Sequence, residues 1–370
     1  MTHTEKLETI LRETISPFAE ETDREGRFPR AAIDALGHAG LLGLTSSADV
    51  GGMGLGLREA ADVVEKIASE CPSTAMVVTM HYCGTAVIEK FGPESLRREI
   101  AAGRHLTTLA WSEKGSRSHF WAPVGTARTD GDDFVLDGEK TMVTAAGEAD
   151  SCVWSSKPAN AEGASTLWLV SMQKLSIPGK FDGMGLRGNA SAPLSCTSLR
   201  IPASAMLGED GSGFDIMMGV VLPLFATLVA SCSVGLMDAS ILRACEHVGG
   251  SRLQHLGSSL ADLPAIRAHI GRAKIRADAA RALRDDAISA LENAREDAML
   301  RVLEVKANAA EAALEVTDIA MRVCGGAAFR RNVGVERFFR DARAASVMAP
   351  TSDILFDFIG KVACGLPLFG

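Results

Sequence analysis

Asp133-Phe134-Val135-Leu136-Asp137 and Thr166-Leu167-Trp168-Leu169-Val170 are the stretches that decide how this chain reads. Their alternating β-branched and aromatic residues are the pattern of strands, and Asp130-Gly131-Asp132 marks a turn before the first. All four tryptophans (111, 121, 154 and 168) fall between about 106 and 210, where they suit a pleated, half-buried surface. This zone, 106–210, is expected to be an antiparallel β domain.

Working outward, the periodicity becomes helical on both sides. In 1–105, apolar residues recur at three- and four-residue intervals, as in Ala31-Ala32-Ile33 followed by Leu36 and Leu41-Leu42. Pro29 and Pro72 stand where helices begin, and Gly51-Gly52-Met53-Gly54-Leu55-Gly56 reads as a loop between helices. In 211–370, long Ala- and Leu-rich amphipathic segments cover 260–294 and 297–323, the second stopping at Gly325-Gly326. Long helices on short connections suit a four-helix bundle. The expected class is α+β: an N-terminal helical domain, a central β domain and a C-terminal helix bundle.

Composition narrows the function. The net charge of −8 and the absence of a one-sided Lys/Arg cluster exclude a general nucleic-acid binder. The eight cysteines are scattered without a CxxC pair and read as small buried hydrophobes of a reducing compartment; no histidine spacing suggests a metal site. The N-terminus has no signal-peptide core, so a cytoplasmic protein is expected. Ile216–Met237 has no charge and the length to cross a bilayer, but it contains Pro223 and several hydroxyl residues and lacks basic flanks. It is expected to be a core helix. Gly183-Met184-Gly185-Leu186-Arg187-Gly188 fits G-x-G-x-x-G, yet a strand-like run follows it where a dinucleotide fingerprint needs a helix. The match is accidental.

The ordered motifs of the chain resemble those of the acyl-CoA dehydrogenase family. Arg322-Val323-Cys324-Gly325-Gly326-Ala327-Ala328-Phe329, Val335-Glu336-Arg337, Arg340-Asp341-Ala342 and Ala349-Pro350-Thr351-Ser352-Asp353-Ile354 follow its C-terminal signature, Q-V-L-G-G-x-G-Y to E-G-T-S-E-I, without a gap. Ser112-Glu113-Lys114-Gly115-Ser116-Arg117-Ser118 resembles its T-E-P-G-x-G-S loop, and Asp137 to Thr144 its N-G-x-K-x-W-I-T strand. Gly185 to Gly188 and Leu207 to Phe214 match its G-x-R-G and L-G-x-x-G-x-G-F segments.

The resemblance implies FAD, with the flavin ring between the β domain and the bundle. Gly115, Ser116 and Ser118 are suited to the diphosphate, because loop amides and hydroxyls donate well to it. Ser112 and Thr144 match flavin-contacting hydroxyls, and Gly325, Gly326 and Thr351 fall in matching cofactor segments. The family holds the adenosine end of FAD from a second subunit, here through Arg252 and Arg322, which implies a homodimer or homotetramer. Lys114, Arg117 and His119 make the diphosphate loop unusually basic; each reads equally as a solvated surface charge.

The position of the family's usual catalytic base is Ala349, and the alternative position on the first bundle helix is Phe225. Neither can accept a proton, although α-proton removal gains about 10²–10⁴-fold from a placed base. Three readings stay open. A dehydrogenase has moved its base, with Asp353 first, one helical turn beyond Ala349, and Glu113 and Asp357 behind it. Or the enzyme needs no such base: a monooxygenase, an oxidase or a desulfinase-type elimination. Or the chain is a non-catalytic subunit binding acyl thioesters. The expected substrate is an acyl-CoA or acyl-carrier thioester; the expected electron acceptor is an electron-transfer flavoprotein or oxygen. No nucleic-acid or membrane partner is expected.

Overall fold

The structure is a computed structural model describing residues 1–116 and 118–368. Arg117 of the basic loop lies outside the described residues. The N-terminal helices are α1 (His3–Ile10), α2 (Ala19–Glu25), α3 (Arg30–His38), α4 (Leu57–Glu70), α5 (Pro72–Phe91) and α6 (Glu94–Ala101). Their ends follow local chemistry. Thr2 and Glu5 form a reciprocal capping box at α1, Gly26 closes α2 in the left-handed conformation, Pro29 caps α3, and α5 begins at Pro72.

The strands are β1 (Thr107–Ala110), β2 (Thr126–Asp130), β3 (Asp133–Val143), β4 (Ser151–Ser156), β5 (Thr166–Ser171), β6 (Ala192–Pro202) and β7 (Met206–Leu207). One sheet has the order β1-β4-β5-β7 and the other β2-β3-β6. The β2–β3 hairpin turns on Gly131 with φ 64°, as Asp130-Gly131-Asp132 predicts. The pairings are antiparallel except β1–β4, which runs parallel and so needs the long connection between its strands. The register of β3 against β6 shifts between Lys140 and Val143, a bulge that leaves Lys140 buried and Met142 exposed with φ 51°. Trp154 and Trp168 are completely buried and Trp111 nearly so, deeper than the half-buried surface expected of them.

The C-terminal elements are α7 (Gly213–Ile216), α8 (Leu222–Gly250), the β8–β9 hairpin (Arg252–Leu253 with Ser258–Ser259), α9 (Pro264–Glu292), α10 (Ala298–Cys324), α11 (Val335–Asp341), α12 (Arg343–Val347) and α13 (Ser352–Ala363). A π-turn, Met217–Val221, joins α7 to α8. The helical run Gly213–Gly250 is apolar enough to cross a membrane, but 78% of its most apolar window is buried inside the protein, as a core helix requires. The run Gly183–Gly188 lies in a loop, and strand β6 follows it.

By internal packing the chain forms two compact units. The first comprises Met1–Val63, Ser73–Gly183 and Arg187–Phe225; the second comprises Val64–Pro72, Met184–Leu186 and Ala226–Gly370. The second is built around a cluster of small and apolar residues on α8 to α11, including Met237, Ala277, Ala313, Val316 and Phe338. Alanine stripes on α9 and α10 let the helix backbones approach closely. Glu65 joins this unit by accepting from both Arg281 and Arg284, and Arg281 also binds Asp238. Six of the eight cysteines are buried as expected; Cys245 and Cys364 are exposed.

Candidate functional site

In the first unit the candidate residues gather where β1 and β3 end. The Thr141 amide donates to the Ser112 carbonyl (2.8 Å), fixing the Ser112 end beside the bulge of β3. Thr144 is buried, and among the described residues its hydroxyl meets only Ser191 Oγ, at 3.4 Å. The next two amides, of Ala145 and Ala146, donate to the Asn189 and Ala190 carbonyls (2.9 and 3.1 Å). Met142, Ala145 and Ala190 all have positive φ, a concentration of strained backbone of the kind that marks functional sites.

Glu113, a candidate base, is committed elsewhere. Its carboxylate receives the Lys140 ammonium and the Val124 and Gly125 amides, and it is nearly inaccessible to water. Lys140 also donates to Ser155 O and Oγ (2.7 and 2.9 Å) and lies 4.9 Å from the centre of the Trp154 ring. Burial pushes the Lys140 ammonium down to about 8, and the Glu113 charge opposes that fall. The Glu-Lys pair therefore holds the loop against the sheet, and its carboxylate already accepts from three donors.

The loop after Glu113 is open. Gly115 has φ 101° and no atom within 4 Å of where a side chain would start. Ser116 donates to the Glu113 carbonyl (3.2 Å), Ser118 has φ 63°, and Lys114 and His119 are exposed. Trp111 stacks on Phe120 at 5.9 Å, and its buried indole N–H has no partner among the described residues. Sequence reasoning missed this aromatic support, which the tryptophan at the strand end could have signalled.

In the second unit, Arg322 occupies the last turn of α10, and Gly325 and Gly326 follow it at the surface with open space where side chains would project. Arg252 is exposed on the β8–β9 hairpin. Leu186, in the G-x-R-G segment, donates its amide to buried Asp341 (2.6 Å), and Arg340 donates to the Met184 carbonyl (3.0 Å). A side chain at Gly185 would strike the Arg340 carbonyl at 2.5 Å. Two segments matched on sequence alone are thus partners in packing.

The base candidates separate. Ala349 is not in a helix: Met348 before it is extended (φ −70°, ψ 135°), Pro350 follows, and α13 starts at Ser352 with Thr351 as its cap. The helical turn expected to place Asp353 over Ala349 does not form. Asp353 and Asp357 lie exposed on α13. Buried Lys306 on α10 went unnoticed in the sequence. Its ammonium donates to the carbonyls of Ala345 (2.9 Å), Met348 (3.0 Å) and Pro350 (2.8 Å).

The open glycine loop, the loosely engaged Thr144 hydroxyl and the basic residues beside them form a donor set suited to a flavin and its phosphates. In chain order the β domain stands after one helical region and before another. Family models for the acyl-CoA dehydrogenase N-terminal, middle and C-terminal domains match residues 3–103, 108–199 and 211–364. The chain belongs to the acyl-CoA dehydrogenase family. It is 31% identical to the mitochondrial short-chain specific acyl-CoA dehydrogenase of Bos taurus, over 93% of this chain and 87% of that one. The fold is also that of glutaryl-coenzyme A dehydrogenase in complex with glutaryl-CoA (TM-score 0.92, 24% identity, 99% and 95% of the chains covered). It is shared with a prolyl acyl carrier protein oxidase (TM-score 0.88, 20% identity, 98% of each chain covered). The family makes the chain an acyl-CoA dehydrogenase-like oxidoreductase that uses a flavin.

Proposed function

We propose that the protein is an FAD-dependent oxidoreductase acting on an acyl-CoA or related acyl thioester. Bound flavin supplies a two-electron acceptor. On this reading, Ser112 and Thr144 orient the ring, while Gly115, Ser116 and Ser118 meet the diphosphate. Arg252, Arg322, Gly325 and Gly326 hold the adenosine end of a neighbouring copy's cofactor, and Thr351 contacts the cofactor as well. Ala349 occupies the base position facing the thioester. The observation that carries the reading is the Thr144–Ser191 hydroxyl pair and the strained backbone around it, with the Ser112–Thr141 bond and the open glycine loop in the same unit.

Asp353 is the carboxylate assigned to α-proton removal. Anaerobic titration of the yellow protein with a panel of acyl-CoAs should bleach the flavin, and Asp353→Asn should slow bleaching by about 10²–10⁴-fold. A rate unchanged by that substitution removes Asp353 from the role.

A second reading is favoured by the break before α13, which denies Asp353 the shared helical face with Ala349. A substrate that needs no α-proton removal, in an oxygen-using or elimination reaction, then fits the site. Ala349→Glu separates the two. Under the second reading it creates acyl-CoA-dependent flavin bleaching where the wild type shows none; under the first, the wild type already bleaches.

A further inference from the structure

Lys306 breaks the pattern of its own helix. Val302, Leu303, Val305, Ala309, Ala310 and Ala313 form the buried stripe of α10, and the 3.6-residue period places position 306 within it. A lysine there places an ammonium in the core. Among the described residues no carboxylate pairs with it. Its only partners are three carbonyls, of Ala345, Met348 and Pro350, at 2.8–3.0 Å.

An ammonium has three N–H donors and no acceptor, and a carbonyl only accepts, so three donors meet three acceptors with none left over. The acceptors are not spread along a helix. They converge from the end of α12 and from the turn after it, where the chain leaves helical conformation and cannot satisfy its own carbonyls. The Met348 carbonyl belongs to the same peptide group as the Ala349 amide. Lys306 therefore grips the turn on both sides of residue 349 as well as at that residue's own peptide bond.

We infer that Lys306 is a positioning residue: from α10 it fixes the Ala345–Pro350 turn, and so sets where residue 349 stands towards an acyl thioester. The inference rests on the reading of Ala349 as the position facing substrate. It assigns Lys306 no proton transfer. Burial lowers its ammonium to about 7, so the three-donor grip is strongest below that pH.

The test uses flavin-loaded protein and two neutral variants, Lys306→Met and Lys306→Gln, the second retaining two N–H donors so that a folded variant is in hand. Hydrogen exchange is followed for the amides of 346–349 and 351, and the dissociation constant for butyryl-CoA is read from the perturbation of the flavin spectrum. A positioning role predicts exchange in the turn at least ten-fold faster, with the rest of α10 as protected as before. It also predicts at least ten-fold weaker butyryl-CoA binding in Lys306→Met and a smaller loss in Lys306→Gln. A purely structural role lowers the melting temperature but leaves the folded protein with wild-type exchange in the turn and wild-type affinity, which overturns the inference. A wild type whose spectrum does not respond to any acyl-CoA counts against the functional reading instead, and the exchange measurement still decides whether Lys306 holds the turn.

Discussion

Two lysines in this protein are completely buried, and they answer the same physical problem differently. Lys140, on β3, meets a full countercharge in Glu113, a hydroxyl and a carbonyl of Ser155, and the face of Trp154. Lys306, on α10, meets three backbone dipoles and, among the described residues, no countercharge. Burial pulls both below the ordinary lysine value, Lys140 to about 8 and Lys306 to about 7. The difference teaches that burial dominates in both places, and that a countercharge such as Glu113 opposes the fall where backbone carbonyls bring no full charge to do so. One lysine ties a loop to a sheet; the other ties a turn to a helix.

Removing one member of the ion pair is expected to cost most. Glu113→Gln or Lys140→Met leaves the other charge buried alone, which should cost about 3–5 kcal/mol in denaturant unfolding of the purified protein. The double variant Glu113→Gln/Lys140→Met should cost less than the sum of the singles by about 2 kcal/mol or more, because nothing charged is then stranded. Additive effects in that cycle would erase the distinction between the two lysines.

The next effect concerns pH. The folded ammonium of Lys306 lies below its ordinary value of 10.5, so above about pH 7 the unfolded chain binds more protons and folding gains from rising pH. Between pH 7 and 8.5 the gain from Lys306 should be about 1–2 kcal/mol, since the slope reaches about 1.36 kcal/mol per pH unit only once the folded group is fully deprotonated. Above that window the buried thiols, held up by desolvation (Cys83, Cys152 and Cys232 among them), act in the opposite direction. Lys306→Met should remove the larger part of the rise in equilibrium unfolding across this range, and Lys140, half deprotonated near pH 8, should supply the smaller remainder. A rise undiminished in Lys306→Met assigns the titration to another group.

Smallest of all is a lysine in water. Lys274 pairs with Asp278 one turn away on α9, both about half exposed. Lys274→Met should change stability by no more than about 0.5 kcal/mol. A larger loss would show that burial is not what separates the three lysines.

The broad architecture was legible because hydrophobic period and turn chemistry are local. Pro72 and Asp130-Gly131-Asp132 mark the start of α5 and the β2–β3 hairpin, and the alternation in Thr166–Val170 is β5. Pairings distant in sequence were hidden. Glu113 read as a free carboxylate because Lys140 stands 27 residues away. Asp353 read as sharing a face with Ala349 because four-residue spacing means a helical turn only if the helix exists, and the chain through Met348 and Pro350 is not helical. Lys306 was visible as a charge on an apolar stripe, a local contradiction that physical reasoning should have stopped at.

The distribution of thiols gives a practical consequence. In the native chain only Cys245 and Cys364 are open to a bulky alkylating reagent, while six more lie sealed in the interior. Intact mass after a brief pulse would thus read the state of each molecule directly: two adducts for a closed chain, eight for one caught fully open, and intermediate counts for partial opening.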